Sequence, residues 1–134
     1  MKSKLKAPQK LKTFFKNQSD IDLVYQFGSS LSEDQHEESD LDIAVLFNEI
    51  PQAQRILQLV DQLNDIITSE VDLAVLNDAS PIFLMQVVAK GKIIFCRDPK
   101  INSYFVIRTV NMYDDLSYYR RSQEKNILKG RLFG

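Results

Sequence analysis

Two short runs constrain the fold more than anything else in the chain: LDIAVLF at 41–47 and VDLAVL at 71–76 are apolar at nearly every position. A strand with one wet face alternates apolar and polar residues, whereas a strand without alternation must be covered on both faces. Between the two runs, Ala53, Ile56, Leu57, Val60, Leu63 and Ile67 recur at spacings of three and four. That places one apolar stripe along a helix from Gln52 to Thr68, opened by Pro51. DLVYQF at 22–27, stopped by Gly28, and KIIFC at 92–96, after Gly91, read as two further strands. Ser80-Pro81 supplies a cap and a first helical residue for a helix that runs to Lys90, where Gly91 stops it. LKTFFKNQ, after Pro8, reads as a short amphipathic helix. A last helix over about 103–125 carries Phe105, Val106, Val110, Tyr113 and Leu116, and KGRLFG frays beyond it. Strands and helices alternate, so the expected class is α/β, a small mixed β-sheet with helices packed against it.

At 134 residues, without repeats or a low-complexity linker, the chain is expected to form one domain, 1–134, with its core over about 20–100. No apolar run approaches the ~20 residues of a membrane span, and the Lys-rich start lacks the apolar segment of a secretory signal. A cytoplasmic protein with no membrane partner is expected. Cys96, the single cysteine, has no partner in its own chain and sits in an apolar run, which predicts a buried free thiol.

The formal net charge of −1 argues against a surface built to coat nucleic acid, so no direct nucleic-acid partner is expected. The distribution is uneven: residues 1–16 hold six Lys and no acid, and residues 17–79 hold fourteen acids against Arg55 alone. Much of that acid lies in GSSLSEDQHEESDLD at 28–42. Asp40 and Asp42 fall where this stretch runs into LDIAVLF, and residues i and i+2 of a strand share a face. Carboxylates side by side at a strand end repel one another unless a cation lies between them. Asp72, on the next apolar strand, is positioned to join them, since consecutive strands are often neighbours. The plainer reading of the same acids is a set of solvated strand-end or helix-capping groups. His36 reads as solvated, and Lys90 and Lys92 as solvated side chains with phosphate within reach. Tyr104, Tyr113, Tyr118 and Tyr119 read chiefly as core or rim packing, with Arg120 and Arg121 beside them as interface anchors in the alternative.

Gly-Ser, ten residues, then Asp-x-Asp, with a further Asp on a later apolar strand, resembles the nucleotidyltransferase superfamily related to DNA polymerase β. In this short size it resembles the minimal nucleotidyltransferases, and among them the antitoxins partnered with HEPN-domain ribonuclease toxins. The resemblance spans roughly residues 20–100. It implies that Asp40 and Asp42 bridge two Mg²⁺ ions and that Asp72 ligates the one nearer the attacking hydroxyl, the arrangement that two-metal phosphoryl chemistry requires. It further implies that Gly28 lets the backbone approach the triphosphate of ATP and that Ser29 offers a hydroxyl and an amide to it. The family commonly writes G-S-x-A-R-G, whereas Ser30, Leu31, Ser32 and Glu33 supply neither the Arg nor the second Gly. Modest ATP affinity is therefore expected.

Two functions follow. The first is a Mg-dependent enzyme that moves AMP from ATP to a tyrosine of a partner HEPN ribonuclease toxin and so acts as its antitoxin; a chain this short has little room for a separate acceptor-binding domain. The second is a catalytically weak binding module of the same fold that silences the toxin by occlusion. Retention of all three acids together favours the enzyme.

Overall fold

The protein is described by a computed structural model over residues 7–27, 41–68 and 70–133. The elements in chain order are α1 (Ala7–Lys16), β1 (Ile21–Phe27), β2 (Leu41–Phe47), α2 (Ala53–Ile66), β3 (Val71–Val75), α3 (Pro81–Lys90), β4 (Lys92–Cys96) and α4 (Pro99–Phe133). The four strands form one sheet in the order β3-β2-β1-β4. β1 runs antiparallel to β2 and β4, while β2 and β3 are parallel and joined by the crossover through α2. The mixed sheet matches the expected class.

Each face of the sheet carries its own core. On one face Ile21, Val24, Ile43, Val45 and Phe47 meet Leu11 and Phe15 of α1 and Leu59 and Leu63 of α2. On the other, Leu23, Tyr25, Ala44 and Leu76 meet Leu84 and Val87 of α3 and Phe105 of α4. An irregularity in β1 between Ile21 and Leu23 turns these two residues, which strict alternation would put together, to opposite faces.

Coverage on both faces, expected for LDIAVLF and VDLAVL alike, holds for both: Leu73 and Val75 of β3 pack on one core, Ala74 and, just beyond the strand, Leu76 on the other, and Asp72 alone on this edge strand is exposed. The stripe on α2 differs from expectation. Leu59 and Leu63 are fully buried, while Leu57 is 66% exposed, because the buried line runs through 56, 59, 63 and 66, and Leu57 stands a hundred-degree step off it. α4 starts at Pro99 rather than 103 and continues to Phe133, through the segment expected to fray. The early start has a local cause. The Asp98 side chain accepts from the Lys100 amide at 2.9 Å, and proline is well suited to the first helical position that follows such a cap.

Ser80 caps α3 as expected, accepting from the Phe83 amide. Gly91 ends α3 with φ −78°, so no left-handed conformation requires glycine there. Close approach does: a β-carbon at this position would stand 2.4 Å from the Val87 carbonyl oxygen and 3.0 Å from the Tyr25 ring. Cys96 is half-buried rather than buried, and its thiol donates to the Asp98 carbonyl at 3.0 Å.

Two arginines fix the turn between α1 and β1. Arg97 donates to the carbonyls of Ile21 at 3.0 Å and Gln18 at 2.6 Å. Arg55 grips Asp20 with two bonds, 2.7 and 2.9 Å, and reaches Gln18 Oε1 at 2.8 Å. The Arg55 hydrogen bonds hold the Asp20 carboxyl below its ordinary value of 3.8, against the opposing effect of burial. A carboxyl depressed in the folded state stabilises the fold above its unfolded pKa, and the contribution is lost as pH falls through the folded value. Arg55→Met should therefore be less stable than wild type near neutrality, by under about 1 kcal/mol because the pair is partly solvated. Urea unfolding should show that difference shrinking below the ordinary aspartate value of 3.8. A gap that is constant with pH would assign the effect to packing of the arginine stem.

Candidate active site

The sheet gathers four strand termini at one end. Because β2 and β3 are parallel and in register, Leu41 lies opposite Val71 and Asp42 opposite Asp72. Antiparallel pairing then brings the last residue of β1, Phe27, beside Asp42, and the first of β4, Lys92, beside Gln26. The ladder between β2 and β3 is closed at this end by the Leu41 amide donating to the Glu70 carbonyl at 2.8 Å.

Asp42 and Asp72 share a face. Their neighbours two residues on, Ala44 and Ala74, are also register partners, and both pack into the core beneath α3 and α4. Neighbouring strands lie about 4.8 Å apart, so the two carboxylates project side by side from adjacent backbones. Asp42 is half-buried and Asp72 exposed, which gives the pair an inner and an outer member. Phe27 forms an apolar wall beside Asp42, held edge-on against Phe83 of α3 with ring centroids 5.4 Å apart. Two residues further in along β1, on the same face, Tyr25 packs on Phe105 and donates its hydroxyl to Asn102 of α4. Burial pushes that hydroxyl's pKa up. This tie between the site strand and α4 was not anticipated from the sequence, where Tyr25 is one more apolar residue in a strand.

Gly28, Ser29, His36 and Asp40 lie outside the described residues. Among the described residues no three metal-ligating side chains come together; the pair is Asp42 with Asp72. Lys90 and Lys92 are both exposed. Lys92 pairs with Gln26, itself opposite Ile43, and so belongs to the face opposite the carboxylates. The tyrosines of α4 depart from the packing expected of them: Tyr104 is 79%, Tyr118 73% and Tyr119 61% exposed, and only Tyr113 is half-buried.

Residues 9–100 match the family described as polymerase beta, nucleotidyltransferase. Over 102 residues the chain is 33% identical to the protein adenylyltransferase MntA of Shewanella oneidensis, covering 76% of this chain and 73% of that protein. A crystal structure of a toxin–antitoxin with AMP-PNP is similar at TM-score 0.75 and 30% identity, over 92% of this chain and 99% of the matched one. The complex of tri-AMPylated Shewanella oneidensis HEPN toxin with MNT antitoxin is similar at TM-score 0.70 and 26% identity, over 90% of this chain and 95% of the matched one.

Proposed function

Because this chain belongs to the polymerase beta nucleotidyltransferase family, we propose that it is a protein adenylyltransferase that moves AMP from ATP to a tyrosine hydroxyl of a partner HEPN ribonuclease toxin and thereby acts as its antitoxin. The observation that carries this reading is the register of Asp42 against Asp72 on one face at the open end of the sheet. A cytoplasmic setting fits this role, and no helix among the described residues is long and apolar enough to cross a membrane.

The donor set suits Mg²⁺. It consists of hard carboxylate oxygens from adjacent strands, with Asp40 assigned as the third ligand two residues before Asp42. When bound, the ions neutralise charge on the departing pyrophosphate and acidify the attacking hydroxyl. The chain's own residues divide the remaining work. Asp42, half-buried, forms the inner side of the site, and Phe27 beside it gives that flank an apolar wall. Asp72, exposed on an edge strand, faces the side from which a protein hydroxyl can approach, and its carboxylate can take that hydroxyl's proton. The acceptor oxygen then bonds to the α-phosphorus as the bond from that phosphorus to pyrophosphate breaks. Gly28 and Ser29 are assigned to the triphosphate.

Intact-mass measurement of a cognate HEPN protein after incubation with this protein, ATP and Mg²⁺ tests the reading. Mass increments of whole adenylyl groups are expected with Mg²⁺ and none with EDTA. An unmodified HEPN protein in a stable complex would count against transfer and favour occlusion.

A further inference from the structure

At the far end of β2 from Asp42, on the same face of the sheet, the first turns of α4 leave a groove of about 290 Å³ against Leu46. Its lining is almost wholly apolar, from Leu46, Ile101, Phe105 and the ring of Tyr104, with Lys100 and Arg108 as its two cations. Tyr104 and Ile107, 79% and 62% exposed, extend the apolar surface outward along α4. Among the described residues the one ion pair is Arg55 with Asp20, so neither Lys100 nor Arg108 has an acidic partner. An apolar hollow with uncompensated cations on its rim is complementary to an apolar side chain carried between carboxylates.

We propose that this groove anchors the acceptor protein: it takes one large apolar or aromatic side chain of a partner segment whose neighbouring residues are acidic and pair with Lys100 and Arg108. The inference deepens the adenylyltransferase reading and rests on it for the partner's identity. Its geometry gives the anchor a purpose. Leu46 is four strand residues from Asp42, roughly 13 Å at about 3.3 Å per residue. Ala44, between them, is buried beneath α3 and α4, so a partner segment anchored at the groove passes around these helices to bring a hydroxyl to the carboxylates. Binding energy spent at such a remote anchor raises the effective concentration of the acceptor and appears in KM.

The test has two arms. The first needs no toxin: terminally blocked peptides Glu-Glu-Phe-Glu-Glu and Lys-Lys-Phe-Lys-Lys are titrated into the full-length protein and followed by amide chemical shifts. The acidic peptide should perturb Leu46, Ile101 and Phe105, the basic one should not, and Lys100→Glu/Arg108→Glu should weaken the acidic peptide about tenfold or more, as expected when two attractive pairs become repulsive. Both substitutions are at exposed positions; because the glutamate at 100 stands beside the Asp98 cap, the urea midpoint of the variant is compared with wild type, and Lys100→Gln/Arg108→Gln, which should also weaken the acidic peptide, replaces it if the midpoint falls. In the second arm, with the cognate HEPN protein, the same variant should raise KM for the acceptor with kcat unchanged. No perturbation of the groove, equal binding of both peptides, or Mg-ATP perturbing the groove in their place would overturn the proposal. If the HEPN protein is not modified even by wild type, the adenylyltransferase reading fails, while the peptide arm still decides the groove.

Discussion

Replacing Asp42 and Asp72 together by Asn is expected to lower the rate of AMP transfer by about a thousandfold or more while leaving the fold intact. The register puts these carboxylates on one face of adjacent strands, where the exchange of two anions for neutral amides of the same shape removes both proposed ligand sets. Their contribution to stability is modest. Asp72 is exposed and Asp42 half-buried, and amides of the same shape keep most of the hydrogen-bonding capacity while relieving the repulsion, so the variant should stay within about 1.5 kcal/mol of wild type in stability. Transfer rates, urea midpoints and partner affinity measured on one preparation separate these effects. A variant that retains transfer within about tenfold of wild type would remove the pair from the chemistry.

The largest stability effect is expected at Phe15→Ala. Phe15 has no exposed surface, stacks on Phe95 at 6.5 Å and meets Phe14 edge-on at 5.2 Å. Truncating a buried Phe costs about 3–5 kcal/mol, a large share of the ~5–15 kcal/mol by which a small domain is stable. Phe14, only half-buried, should cost clearly less when changed to Ala. A Phe15→Ala loss under about 1 kcal/mol would mean that α1 is not part of the core.

The sequence revealed the elements where local chemistry is decisive. The nearly continuous apolar run of β2, the Ser80-Pro81 start of α3 and the KIIFC strand are all where the pattern put them. The α4 start carries a local signal too, the Asp98-Pro99 cap, which lies ahead of the apolar periodicity that begins at Phe105. What could not be read locally depends on partners distant in the chain. The edge position of β3 follows from strand order, the fate of Leu57 from which side of α2 meets the sheet, and the need for glycine at 91 from Tyr25, sixty-six residues earlier. The same holds at the site. The Asp-x-Asp spacing and the later Asp flagged the acids, and register alone aligned Asp42 with Asp72. The groove beside Leu46 had no signal, because it forms between a strand and a helix start more than fifty residues apart.

Under the proposed function, silencing of the HEPN protein is covalent. The direct measurement is the ribonuclease activity of the HEPN protein after incubation with this protein, Mg²⁺ and ATP, followed by removal of this protein under conditions that dissociate the complex. The toxin is expected to stay silent, and to regain activity when ATP is omitted or the Asp42→Asn/Asp72→Asn variant is used. Full activity restored by simple removal of the wild-type protein after incubation with ATP would contradict the claim and establish occlusion.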